Sequence, residues 1–134
     1  MTENNTTVLL VDDDDDFLVQ EQALLERAGF RVIAARGEQE AQQQIDAGRP
    51  DLAVLDLMMG TPDAGFTLAY RIKKQWPDVP VIIVSSVHGQ TGIDFDLSDP
   101  RRRQWLHADA FLSKPIRFEQ LQAEIDRLMS EPPN

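Results

Sequence analysis

Short apolar runs alternate with longer stretches of helical periodicity from one end of the chain to the other. Val8–Val11 is a continuous apolar run that stops at aspartates, and Leu52–Leu55 and Val81–Val84 have the same form, stopping at Asp56 and Ser85. Uninterrupted runs of this kind signal strands buried on both faces, as in a parallel sheet covered by helices. Arg31–Ala35 is a more polar strand suited to a sheet edge, and Ala110–Leu112 reads as a fifth strand. Between the strands the period changes. A helix from Asp16 carries Phe17, Leu18, Leu24, Leu25 and Ala28 on one stripe, with Asp16 as the expected cap and Gly29 as the stop. A Gln-rich helix over Glu38–Ala47 turns Ala41 and Ile45 inward and closes at Gly48. A third, about Gly65 to Gln75, directs Phe66, Ala69, Ile72 and Trp76 to a core before Pro77 ends it. Residues 88–100 read as a long loop and 101–107 as a short helix. The last helix, about Arg117 to Met129, aligns Phe118, Leu121, Ile125 and Leu128. Strand and helix alternate throughout, which predicts a doubly wound α/β domain with helices on both faces of a five-stranded parallel sheet.

Composition narrows the classes. A chain of 134 residues with 42% hydrophobic content fits one globular domain with a sizeable core. No apolar run approaches the roughly 18 residues that span a bilayer, and the polar start lacks the order of a secretory signal. Cysteine is absent, so disulfide staples and thiolate metal sites are excluded. A cytoplasmic protein without membrane contact is the expectation. The formal net charge is -10, from 23 acidic and 13 basic side chains. That field disfavours direct nucleic-acid binding, which depends on cationic contacts to phosphate. Arg101-Arg102-Arg103, the basic cluster, reads as a solvated patch or a protein contact. Trp76 and Trp105 read as packing residues, and His88, lacking a partner at metal-ligand spacing, as a surface residue.

The chemistry gathers at strand ends. In doubly wound sheets, ligands sit outside the carboxyl ends of the strands where the strand order reverses. For five strands in the order 2-1-3-4-5, that point lies between strands 1 and 3. Asp12 and Asp13 follow strand 1, Asp56 follows strand 3, Ser85 ends strand 4 and Lys114 follows strand 5. Two like charges about 4 Å apart repel by roughly 4 kcal/mol at an effective dielectric near 20. Clustered carboxylates therefore raise their pKa values or hold a cation between them. Oxygen donors without His or Cys favour a hard ion, and Mg²⁺ is commonly held by carboxylates together with phosphate. A carboxylate can also attack phosphorus, and Asp56, on the central strand, is the best placed nucleophile. Each residue has a plainer reading: Asp14, Asp15 and Asp16 as helix-start residues, Asp56 as a turn residue, Ser85 as a polar strand end, Lys114 as a surface lysine. Their convergence from four strand ends is what carries the site.

Four segments, in order and in strand context, resemble the response-regulator receiver domain of two-component signalling. They are Val8-Leu9-Leu10-Val11-Asp12-Asp13-Asp14, then Pro50-Asp51-Leu52-Ala53-Val54-Leu55-Asp56-Leu57-Met58-Met59, Pro80-Val81-Ile82-Ile83-Val84-Ser85, and Ala110-Phe111-Leu112-Ser113-Lys114-Pro115. The resemblance covers nearly the whole length. It implies a flavodoxin-like receiver domain over residues 8–129, between a flexible start (1–7) and tail (130–134). It further implies Asp56 as phosphoacceptor, Asp13 as direct Mg²⁺ ligand, Asp12 as its water-mediated companion, and the Met58 main-chain carbonyl in the metal shell. Ser85 resembles the hydroxyl that moves onto the phosphoryl group, Lys114 its ion-pair partner, and Phe111 the aromatic switch. Pro115 would follow a cis peptide bond. The implied phosphodonor is a sensor histidine kinase or a phosphotransfer protein, and the implied output is an unknown downstream protein. The domain would be a switch with limited self-catalysis, not an enzyme. A homodimer stays open.

The chain departs from the family pattern in two places. Gly60-Thr61-Pro62-Asp63-Ala64-Gly65 has Gly where the family has Pro and Asp-Ala-Gly in place of Asp-Gly, implying a one-residue insertion beside the acceptor. The stretch from Ser85 to Phe111 is longer than usual, with the excess in Val87 to Arg103, the region that commonly carries the output surface. Two other readings stand beside the switch. A haloacid-dehalogenase-type phosphatase also uses a strand-terminal Asp, but needs an acid/base Asp where Met58 stands. An interaction domain indifferent to phosphorylation would keep the fold with altered loops. The chain stops soon after its last helix, so the expectation is a stand-alone regulator or an excised module without a DNA-binding output domain.

Overall fold

The computed structural model describes residues 6–57, 64–85, 108–114 and 116–130. Five strands, β1 (Thr7–Val11), β2 (Arg31–Ala35), β3 (Leu52–Asp56), β4 (Val81–Ser85) and β5 (Ala110–Ser113), form one sheet in the order β2-β1-β3-β4-β5. Every neighbouring pair is parallel. Four helices are described: α1 (Asp15–Arg27), α2 (Glu38–Ala47), α3 (Ala64–Gln75) and α4 (Phe118–Ser130). The doubly wound α/β architecture and its strand order match the expectation. The segment 101–107, expected to be helical, lies outside the described residues, as do His88 and Trp105.

The pleat sends alternate residues of each strand to opposite faces. Leu9, Val11, Ala53, Leu55 and Ile83 meet Ala41 and Ile45 of α2 and Leu68, Ala69 and Ile72 of α3, with Phe66 and Trp76 against them. Val8, Leu10, Val54, Ile82 and Val84 meet Leu18 and Leu25 of α1 and Leu121 and Ile125 of α4. Both faces of β1, β3 and β4 are thus covered, which is why their sequences do not alternate. Each fully buried Leu or Ile contributes about 1.5–3 kcal/mol. β2, largely exposed, is an edge, as its polar composition requires.

Two details of α1 differ from expectation. Its cap is Asp14, not Asp16: Asp14 is extended, and its side chain accepts from Asp16 N and Phe17 N. The Asp12 side chain accepts from Asp14 N at 2.9 Å, which sets the turn and starts the helix at Asp15. The inward stripe includes Glu21, 4% exposed, while Leu24 is only half-buried. The helix stops as its glycine requires. Gly29 is left-handed (φ 102), Gly29 N donates to Glu26 O and Phe30 N to Leu25 O, a paired C-terminal closure that also buries Phe30.

Candidate functional site at the strand ends

β1 and β3 are neighbours, and their carboxyl ends bring the aspartates together. Asp12, fully buried, is fixed at both ends: its N–H donates to Ala35 O at 3.1 Å, and its carboxylate accepts from Asp14 N. Asp13 faces outward, and Asp56, at the end of β3, is 7% exposed. Carboxylate oxygens of all three lie within 4.8 Å of one another. Such a cluster is suited to one metal ion, and its donors are oxygens alone.

Lys114 enters the same crevice from the end of β5. Its Nζ donates to Asp12 Oδ2 at 2.7 Å and stands 3.8 Å from Asp56 Oδ1. The backbone fixes this approach, because Lys114 N donates to Ser85 O at 2.7 Å. Three carboxylates against one ammonium leave two negative charges in excess, which a divalent cation would balance. A hard ion with carboxylate ligands therefore fits the residues present.

Ser85, 1% exposed, ends β4 one position beyond Val84, the register partner of Asp56. Phe111 lies on β5 opposite Ile83, half-buried against the α2–α3 side of the sheet. Asp12, Asp13, Asp56, Ser85 and Lys114 thus share the end of the sheet. Met58 and Pro115, expected in the metal shell and at a cis peptide, lie outside the described residues.

Two contributors escape a reading of the sequence. Phe17, assigned there to the core stripe, also places its ring under Lys114, with Nζ 4.5 Å from the ring centre. Gly65 packs against the end of β3: its N–H donates to Leu57 O, and a Cβ there would lie 2.6 Å from Asp56 O. The glycine in Asp63-Ala64-Gly65 was the available signal for the second. The first had none, since Phe17 and Lys114 meet only through the fold.

No helix among the described residues is long and apolar enough to cross a membrane. A family model described as the response regulator receiver domain matches residues 8–126. The chain is 35% identical over 101 residues to the KDP operon transcriptional regulatory protein KdpE of Escherichia coli (strain K12), covering 75% of this chain and 41% of that protein. It is 36% identical over 92 residues to the response regulator GtcR of Aneurinibacillus migulanus, covering 69% and 34% respectively. The chain therefore spans well under half the length of these curated relatives. Among solved structures, the non-phosphorylated HemR receiver domain of Leptospira biflexa matches with a TM-score of 0.78 and 26% identity, over 97% of this chain and 98% of that one. The response regulator TrrA of Thermotoga maritima, in complex with Mg²⁺-BeF, matches with a TM-score of 0.73 and 25% identity, over 92% and 98%. With strand order, strand-end aspartates and the family match in agreement, the chain belongs to the response regulator receiver domain family of two-component systems.

Proposed function

We propose that Asp56 accepts a phosphoryl group in a Mg²⁺-dependent reaction and that the domain thereby switches its affinity for a downstream protein. The observation that carries this reading is the meeting of the Asp12, Asp13 and Asp56 carboxylates with the Lys114 ammonium at one sheet end. The relative solved with Mg²⁺-BeF, in which the fluoride complex mimics a phosphoryl group, supports it. The donor is a phosphohistidine on a sensor kinase or phosphotransfer protein. An Asp56 Oδ atom attacks phosphorus, an O–P bond forms as the P–N bond breaks, and the imidazole leaves with the bonding pair and takes up a proton.

Asp12, Asp13, Asp56 and, as the resemblance implies, the Met58 main-chain carbonyl would hold the ion. Bound there, Mg²⁺ supplies charge neutralisation at the phosphoryl oxygens. Lys114 reaches the same oxygens from the β5 side. Its 3.8 Å distance to Asp56 Oδ1 leaves it within reach of a group attached to that atom. Ser85, buried at the end of the neighbouring strand, donates a hydrogen bond from its hydroxyl to the phosphoryl group, and Phe111 follows it inward. The two conformations differ in partner affinity, which is all a population switch requires. The net charge of -10 disfavours direct contact between this domain and nucleic acid, and a cytoplasmic setting fits a kinase or phosphotransfer donor.

Incubation with acetyl phosphate and Mg²⁺, read by intact mass, tests the assignment. Wild type gains one phosphoryl group and Asp56→Asn gains none. Equal labelling of the two proteins, or no labelling of wild type where a known receiver is labelled, removes Asp56 from this role.

A further inference from the structure

We infer that Phe17 is a positioning residue for Lys114, its aromatic face holding the ammonium in the crevice during phosphoryl transfer. The inference rests on the acceptor reading of Asp56 and adds a residue to it.

A lysine at this position has a difficulty of its own. Its ammonium is a compact charge on a flexible stem, with strongly hydrated alternatives nearby. Lys114 is about one-fifth exposed, so water competes for it. Two contacts oppose that competition. Asp12 Oδ2 accepts from Nζ at 2.7 Å, and the Phe17 ring lies 4.5 Å from the same atom. The second distance is within the range at which an aromatic quadrupole attracts a cation. The hydrogen bond goes to Asp12 and not to Asp56, whose Oδ1 stays at 3.8 Å. Ring and Asp12 together keep the charge beside the acceptor without committing it to the attacking oxygen.

The ring is itself held by the acidic run. Asp12 Oδ1 accepts from Asp14 N, and Asp14 Oδ1 accepts from Asp16 N and Phe17 N, so the turn that buries Asp12 also sets the first turn of α1. Phe17 packs against the core beneath α1, which limits where the ring can go. The connections run in a circuit: Asp12 to Asp14, Asp14 to Phe17, Phe17 to Lys114, and Lys114 back to Asp12. Removing the ring's π face while keeping its bulk should free the ammonium without unfolding the turn.

The test uses Phe17→Leu and Phe17→Tyr in the full chain, with two readouts. In wild type, the Lys114 ε-methylene proton resonances are shifted upfield by the ring; Phe17→Tyr keeps that shift and Phe17→Leu loses it. Acetyl-phosphate labelling at saturating Mg²⁺ slows roughly 3- to 10-fold in Phe17→Leu and stays near wild type in Phe17→Tyr. In a Lys114→Ala background, whose residual labelling is followed over longer times, Phe17→Leu has no further effect. A wild-type spectrum without the ring shift, a Phe17→Leu protein labelled at the wild-type rate, or equal slowing with and without Lys114 overturns the inference while leaving the acceptor reading intact. A wild type that takes no label overturns both.

Discussion

Gly65 lies so close beneath Asp56 that a Cβ built on it would stand 2.6 Å from the Asp56 carbonyl oxygen and 2.7 Å from Leu57 Cα. Both are backbone atoms, which cannot swing aside as a side chain can. The start of α3 is thus seated directly on the end of β3, an approach reinforced by the hydrogen bond from Gly65 N to Leu57 O. Gly65→Ala separates them. Alanine favours a helix over glycine by about 1 kcal/mol, but overpacking of this kind costs about 1–3 kcal/mol, so the substitution destabilises on balance. Urea denaturation checks the sign, and a variant at least as stable as wild type would show that α3 and β3 can part freely. Because the same shift moves the Asp56 backbone, slower labelling should accompany the loss of stability.

Glu21 makes the opposite kind of prediction. It is 4% exposed on the face of α1 that meets the sheet, its Oε1 has no hydrogen-bond partner, and burial pushes its pKa above the ordinary glutamate value. A folded-state pKa raised above the unfolded one means that protonation favours the fold. That contribution is fully present below the unfolded pKa and is lost as pH rises through the folded value. Glu21→Leu removes the titration and the unpaired acceptor together. It should stabilise the protein at pH 8 by about 1–3 kcal/mol, with a smaller gain at pH 5. Denaturant midpoints at the two values decide the matter. A gain independent of pH, or a loss at pH 8, would mean that the carboxylate is accommodated after all.

These particulars mark what the amino-acid pattern could and could not disclose. Strands β1, β3 and β4 were legible because burial on both faces leaves uninterrupted apolar runs, and the reversal point between β1 and β3 followed from the strand order commonest for five-stranded doubly wound sheets, 2-1-3-4-5. The strand-end positions of Asp12, Asp13 and Asp56 were legible for the same reason. Asp14 as cap was not. In a run of five aspartates each offers the same chemistry, and only the bond from Asp14 N to Asp12 selects one. Glu21 was not legible either: an acidic side chain gives no apolar signal, yet its place between Leu18 and Leu25 on the same stripe turns it inward. The Phe17–Lys114 contact joins distant parts of the chain, and no local period can encode it.

Asp13 separates binding from stability. Unlike Asp12, it is exposed, so its charge serves the cluster more than the packing. Three carboxylates within 4.8 Å repel one another when no cation lies between them, and the single ammonium of Lys114 does not balance them. Asp13→Asn relieves part of that repulsion and should raise the stability of the metal-free protein, by a few tenths to about 1 kcal/mol at the high dielectric of an exposed site. The same change removes a hard anionic ligand. Mg²⁺ should then lose affinity by an order of magnitude or more, as expected when a carboxylate ligand is replaced by an amide. An ion that binds only the folded state stabilises it by RT ln(1 + [L]/Kd), about 2.7 kcal/mol at one hundred times Kd. Thermal melts with EDTA and with Mg²⁺ therefore give crossing results: the variant melts higher without the ion, and wild type gains more with it. If Mg²⁺ raises the melting temperature of both proteins equally, Asp13 is not a ligand. If it raises neither, the strand-end cluster does not hold this ion, and the repulsion between its carboxylates is relieved by Lys114 and solvent alone.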